Sequence, residues 1–196
     1  VKGLCNFIIK PNGSRYNNKK NIGDKELILN VEIFHHQYVN REAIVLETPI
    51  INNTEVRKGD IIIVHHNVFR RWHDIRGKEK NSKSWLRKGT YVVYEDQVFA
   101  YKRNNKWKAL KEYCFVKPIK SYEKFTEQRE QPLMGVVKYI DKNNINIKKE
   151  NLIGFTPHSE YEFIIDGERL YRVLTNSITI KYEYQGNEEE YNPSWA

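Results

Sequence analysis

Short runs of β-branched and aromatic residues, each closed by turn-forming residues, recur along this chain. No stretch keeps an apolar stripe at the helical period for several turns. The first set is CNFIIKP (5–11), EAIVLET (42–48), DIIIVHH (60–66), TYVVYED (90–96) and QVFAYKR (97–103). The second is EYCFVKP (112–118), MGVVKYI (134–140), NLIGFTP (151–157), YEFIID (161–166), ERLYRVL (168–174) and SITIKYEY (177–184). Short strands at such spacing restrict the chain to all-β architectures, small barrels or sandwiches. Asp166-Gly167, between two alternating runs, is the strongest hairpin signal, because a two-residue type I′ turn needs positive φ at both central residues. Asn104-Asn105 and Asn143-Asn144 are weaker signals of the same kind.

The two sets repeat one order of motifs, and internal repeats decide a fold before single motifs do. FIIKP (7–11) returns as FVKP (115–118). Residues Ala43 to Val64 align without a gap on Met134 to Phe155, with Val45-Leu46 over Val136-Val137, Arg57-Lys58 over Lys148-Lys149 and Ile61-Ile62 over Leu152-Ile153. VVYEDQVFAY (92–101) then matches FIIDGERLYR (163–172), which predicts a hairpin in each copy. The expected organisation is a first copy over 1–111, a second over 112–185 and an acidic tail over 186–196. Copy one alone carries a long connection (12–37) and an insertion (67–89), and long loops in small domains are usually functional or disordered.

Charge singles out that insertion. The chain holds 33 Lys and Arg against 25 Asp and Glu, a formal charge of +8. Between His66 and Gly89 lie Arg70, Arg71, Arg76, Lys78, Lys80, Lys83, Arg87 and Lys88 against Asp74 and Glu79, so this segment alone carries +6 and the remainder is near neutral. Two cysteines, Cys5 and Cys114, give no disulfide framework and suggest a reducing compartment. No apolar run reaches the ~20 residues of a membrane span, and no signal-peptide core is present, so no membrane role is expected. The abundance of Asn, Lys and Ile suits an AT-rich, viral type of genome, with the host cytoplasm or the virion as the expected location.

Each copy thus reads as a strand ending in a basic residue and Pro, a connection, a Val-rich strand, a basic turn leading to an apolar strand, and closing strands with an acidic turn. In copy one the pieces are FIIKP, AIVLETPI, VRKGDIIIV and VVYEDQVFAYK, and in copy two FVKP, GVVKYI, IKKENLIGF and FIIDGERLYRV. This order resembles the GroES-like co-chaperonin family over about residues 5–180. The resemblance implies two tandem GroES-like small β-barrels, a homo-oligomer joined through edge strands, and a chaperonin ring as partner that the protein caps to assist folding. It also implies that the long connection carries an apolar tripeptide for docking, for which Leu27, Ile28 and Leu29 match. The same residues read without the resemblance form an extra strand, Glu26 to Phe34. The shorter Ile119–Leu133 connection of copy two has no apolar triplet, and Glu150-Asn151 replaces Gly59-Asp60.

Catalysis is not expected. Gly-Asp phrases of this kind also occur in self-cleaving repressors, signal peptidases and zinc dehydrogenases, but the Ser nucleophile motif of the first two and the glycine fingerprint of the third are missing. Neither a cofactor nor a metal is expected, because the adjacent pairs His35-His36 and His65-His66 point to opposite strand faces and lack spaced ligands. The basic segment offers Arg70, Arg71, Arg76, Lys78, Arg87 and Lys88 as a contact patch, interleaved with Phe69, Trp72 and Trp85. Nucleic acid is the functional reading of such a mixture. The preferred reading is a solvated or protein-facing loop whose Trp side chains pack it down or meet a neighbouring subunit. Two rivals to the co-chaperonin therefore stand beside it: a structural virion protein that contacts other virion proteins, and a nucleic-acid-binding β-barrel.

Overall fold

In the computed structural model, residues 2–17, 19–28, 38–121, 129–183 and 191 are described, and their regular structure is all β apart from 3-10 turns such as Glu95–Gln97 and Thr175–Ser177. The chain divides into two units, Val1–Lys106 and Trp107–Ala196. The first run of strands is β1 (Phe7–Pro11), β2 (Lys19–Ile22), β3 (Lys25–Ile28), β4 (Glu42–Glu47), β5 (Ile61–Val64), β6 (Arg71–His73), β7 (Glu79–Asn81), β8 (Trp85–Arg87), β9 (Thr90–Val93), β10 (Val98–Arg103) and β11 (Lys106–Ala109). The second is β12 (Tyr113–Lys120), β13 (Glu130–Ile140), β14 (Leu152–Phe155), β15 (Tyr161–Ile165), β16 (Glu168–Leu174) and β17 (Ile178–Tyr182). One antiparallel sheet has the order β11-β10-β5-β4-β1-β9-β8 and the other β15-β16-β12-β13-β14-β17, while β2-β3 and β6-β7 are separate two-stranded ribbons. No described helix is long and apolar enough to cross a membrane.

The two large sheets are one design used twice. Both β1 and β12 sit between a long strand (β4, β13) and the second strand of a hairpin (β9, β16). The next strand outward (β5, β14) then pairs with β10 or β17, and in the first sheet β11 lies beyond β10. The match extends to irregularities. Ile8 faces Glu47 and Ile9 faces Val45, leaving Leu46 as a bulge; Phe115 faces Tyr139 and Val116 faces Val137, leaving Lys138. A second bulge lies between Val98 and Ala100 opposite β5, and between Ile178 and Ile180 opposite β14. Bulges bend a strand and increase its twist, so a shared pair of them imposes the same curvature on both sheets.

The registers correct the expected alignment in two places. Ala43 faces Ile62 and Gly135 faces Ile153, so Ala43 corresponds to Gly135, not Met134, and the turn after β4 is one residue longer than that after β13. VVYEDQVFAY is not a hairpin: β9 pairs with β1, β10 pairs with β5, and a 3-10 turn joins them. Its counterpart is residues 173–182, β16 to β17 through Thr175–Ser177. The Asp166-Gly167 hairpin is formed, with φ of 50° and 81°, and its equivalent in the first sheet is β8-β9.

These connections force each sheet to roll. Four strand spacings separate β9 from β10, about 19 Å in a flat sheet, whereas the five steps from Val93 to Val98 reach at most ~18 Å. From Leu174 to Ile178 the reach is ~14 Å. The expectation of barrels is corrected to that extent. Each sheet is curled, but the pairings of its outermost strands leave it open. Rolling buries both faces of central strands, as at Ile62, Ile63 and Val64, and at Val136 and Val137. In the second unit Val137 joins Cys114, Val116, Ile153, Phe155 and Val173, while Val136 joins Ile119 and Leu152 on the other face. Burial pushes the Cys114 thiol up to about 12, whereas Cys5 is exposed.

The turn before β5 recurs before β14. Arg57 N–H donates to the Asp60 carboxylate at 2.8 Å, and Lys148 N–H donates to the Asn151 side-chain oxygen at 2.9 Å. Val45 and Val137 bond the backbone of these turns in the same pattern. Gly59 (φ 88°) and Glu150 (φ 68°) both take the left-handed conformation. What differs is the partner. Arg103 forks onto Asp60 with Nε to Oδ1 at 2.9 Å and Nη2 to Oδ2 at 2.6 Å. The equivalent register position beyond β17 is Glu183, and the neutral Asn151 avoids setting a second carboxylate beside it.

Asp60→Asn is expected to keep the turn, lose the ion pair and cost about 1–2 kcal/mol, and Asp60→Ala about 3 kcal/mol. Asn151→Ala should cost only about 1 kcal/mol, and Glu150→Gly should stabilise by roughly 1 kcal/mol through relief of the left-handed residue. Denaturant melts of each variant check this ranking.

Candidate functional site

The elaborations of the first sheet meet at one short stretch after β1. Asn40 is buried there, donating through Nδ2 to the carbonyls of Asn12 (2.9 Å) and Ser14 (2.8 Å) and accepting Glu42 N–H at Oδ1 (2.9 Å). Tyr16 and Val39 form a bridge, and Asn17 N–H donates to the Tyr38 carbonyl. The long connection therefore leaves and rejoins the sheet through a closed neck.

Beyond the neck the chain forms the β2-β3 ribbon. Its two-residue turn, Gly23-Asp24, places Gly23 at φ 59°, which the first position of a type II′ hairpin requires. Leu27 and Ile28 of the sequence-derived tripeptide lie in β3, and Leu29 lies outside the described residues. The extra-strand reading, Glu26 to Phe34, is likewise described only as far as Ile28. Leu27 is 49% exposed. Register puts Ile22, 60% exposed, on the same face, so the ribbon presents an apolar pair. Ile22 was not among the residues singled out from sequence, although alternation on both sides of Gly23-Asp24 would have found it.

The basic segment is held from the same stretch. Arg15 donates through Nε and Nη2 to the Phe69 carbonyl (3.1 and 2.9 Å) and through Nη1 to Asn81 Oδ1 (2.9 Å). The Tyr16 hydroxyl accepts Arg71 N–H at 2.8 Å, and the Arg71 guanidinium lies over the Tyr16 ring. Val68 and Phe69 are fully buried, Phe69 edge-on to Tyr91 at 4.8 Å. Trp72 is 40% and Trp85 42% exposed, so each is more than half covered. Neither Arg15 nor Tyr16 was marked by the sequence, which reads them as part of a loop.

Of the six patch residues, Arg71 stands apart. It pairs with Glu79 at 3.2 Å on the ribbon face that meets Arg15 and Tyr16. Arg70, Arg76, Lys78, Arg87 and Lys88 are exposed and have no ion-pair partner among the described residues. Asp74 closes the β6-β7 turn. Its carboxyl is held below the ordinary value by the Lys78 N–H, which outweighs desolvation, with Arg76 N–H and Lys80 assisting. The expectation that His65 and His66 point to opposite strand faces is corrected: they follow the end of β5 and their rings lie 4.2 Å apart, with His65 Nδ1 accepting Asn67 N–H; His35 and His36 lie outside the described residues. In the second unit, Arg169 is a structural clamp bonded to Glu130 (2.7 Å), Glu162 (3.0 Å) and the Tyr171 hydroxyl.

Comparison with known proteins leaves these surfaces to speak for themselves: no protein-family model matches the chain, and no curated protein matches it.

Removing the anchor should free the basic ribbon while the second unit is unchanged. Arg15→Ala is expected to cost roughly 2 kcal/mol and to raise hydrogen exchange across residues 69–81. The Asp74 turn has a separate signature. A depressed carboxyl stabilises the turn above its ordinary value of 3.8 and loses that contribution as pH falls through the folded-state value. The Arg76 and Lys78 amide shifts should therefore titrate together with a midpoint below 3.8.

Proposed function

We propose that this protein is a co-chaperonin of the GroES-like kind, built from two tandem copies of that family's small barrel in a rolled, open form. It caps a chaperonin ring, docks through the β2-β3 ribbon of its first copy, and neither hydrolyses nucleotide nor needs a cofactor. The observation that carries the reading is the exposed Ile22–Leu27 pair on a ribbon that springs from the connection after the first strand. That is where the family resemblance puts the docking segment. Burying two such side chains in an apolar groove supplies the affinity, and a ribbon already hydrogen-bonded loses less entropy on docking than a disordered loop. Copy two, whose connection has no apolar triplet, serves as a structural repeat. The host cytoplasm is the proposed location, and edge strands join subunits into a homo-oligomeric ring.

A second reading, a virion building block that contacts other virion proteins, draws on the closed neck. Asn40 and the Tyr16–Val39 bridge fix the ribbon's stem in the manner of a permanent interface part. Recovery of the protein at stoichiometric level in purified particles would select it.

The deciding experiment is capture of the full chain on a purified chaperonin ring with and without nucleotide. Capture is expected, and Leu27→Asp should weaken it by about 2 kcal/mol or more, a factor of ~30. A wild-type chain that is never captured, or a Leu27→Asp chain captured equally well, overturns the proposal.

A further inference from the structure

The docking ribbon leaves the basic segment unused, and the geometry of that segment is organised. Alternation along β6 and β7 divides their ribbon into two faces. Arg71, His73, Glu79 and Asn81 share the inner face, where Arg15 and Tyr16 engage it. Trp72 stands opposite Lys80 on the outer face, with Arg70 two residues before Trp72 and Lys78 two residues before Lys80. The hairpin base then turns directly into β8: Ser82 N–H donates to the Arg70 carbonyl and Trp85 N–H to the Ser82 carbonyl. Exposed Trp85, Leu86, Arg87 and Lys88 follow.

The charge accounting within the segment is one-sided. Its two carboxylates are already committed, Glu79 to Arg71 at 3.2 Å and Asp74 to Lys80 at 3.7 Å. Arg70, Arg76, Lys78, Lys83, Arg87 and Lys88 remain exposed with no ion-pair partner among the described residues. The fold holds the segment by Val68, Phe69 and the Arg15 fork, while the two indoles keep 40% and 42% of their surface exposed.

We infer that residues 70–88 form a binding surface for single-stranded nucleic acid. Unpaired cations neutralise successive phosphates, and an exposed indole offers a stacking platform to an unpaired base. A duplex satisfies only the first requirement, because its bases are stacked on one another. An acidic polypeptide likewise supplies charge without a planar partner for Trp72 and Trp85.

The test is fluorescence anisotropy of a labelled single-stranded oligonucleotide titrated with the full chain over a salt series. Binding is expected to weaken with salt. The double variant Arg87→Gln/Lys88→Gln should reduce the log–log slope by roughly 1.4, about 0.7 per phosphate contact. Trp72→Ala and Trp85→Ala should each weaken binding about tenfold, while Trp72→Phe, which keeps an aromatic face, retains most of it. Both indoles are exposed, and an unchanged melting curve verifies that the variants fold. Leu27→Asp should leave this binding intact, which separates the surface from the docking ribbon. Absence of binding at low salt overturns the inference. So does indifference to both Trp→Ala changes, or equal affinity for a duplex or for polyglutamate.

Discussion

A connection too short for a flat sheet governs each unit of this protein. Val93 and Val98 bracket a single 3-10 turn, as do Leu174 and Ile178, yet the strands they end and begin are four positions apart in their sheets. The chain can satisfy both facts only by curling the sheet until those strands approach. The paired bulges at Leu46 and Lys138, and at Phe99 and Thr179, supply the bend. Curling then accounts for the core, because a rolled sheet encloses one face and lets loops cover the other. Consecutive residues such as Ile62, Ile63 and Val64 are buried in place of the simple alternation of a half-solvated sheet.

On this duplicated frame, everything peculiar to the first unit hangs from Arg15 and Tyr16. The neck bridge from Tyr16 to Val39 closes the excursion that carries β2-β3, and the same two residues grip Phe69, Asn81 and Arg71 of the basic ribbon. A guanidinium suits this position because its fork meets a backbone carbonyl and an amide oxygen together. The two elaborations are thus fastened to the sheet through adjacent residues, and their exposed faces differ: Ile22 and Leu27 opposite Lys25 and Lys20 on one ribbon, Trp72 opposite Lys80 on the other.

Much of the frame was legible in sequence wherever a local rule is strong. Asp166-Gly167 announced its hairpin, and FIIKP with FVKP, or RKGD with KKEN, announced the duplication. The misreadings share a cause. YEDQ looks like a hairpin turn, but which strands pair is a property of the whole sheet, and no local pattern states that β9 joins β1. Glu150 takes a left-handed conformation without the Gly that would advertise it, so KKEN seemed a departure from RKGD when it is the same turn. At the surfaces, residue type revealed the cations but not their division. Separating Arg71 from Arg70 requires the β6-β7 register, which decides that one faces Tyr16 and the other solvent.

That division sets how the first unit presents its charge. Glu79 pairs with Arg71 on the inner face, while Asp74 sits at the β6-β7 turn and pairs with Lys80 of the outer face. These pairings stabilise the ribbon internally and leave six positive side chains of the segment without an ion-pair partner among the described residues. Because the remaining chain is near neutral, the attraction for an anionic partner is local and directional. On the inferred binding surface this charge would bring a nucleic-acid strand to Trp72 and Trp85, where stacking, which is short-ranged, would discriminate among anions that charge alone treats alike.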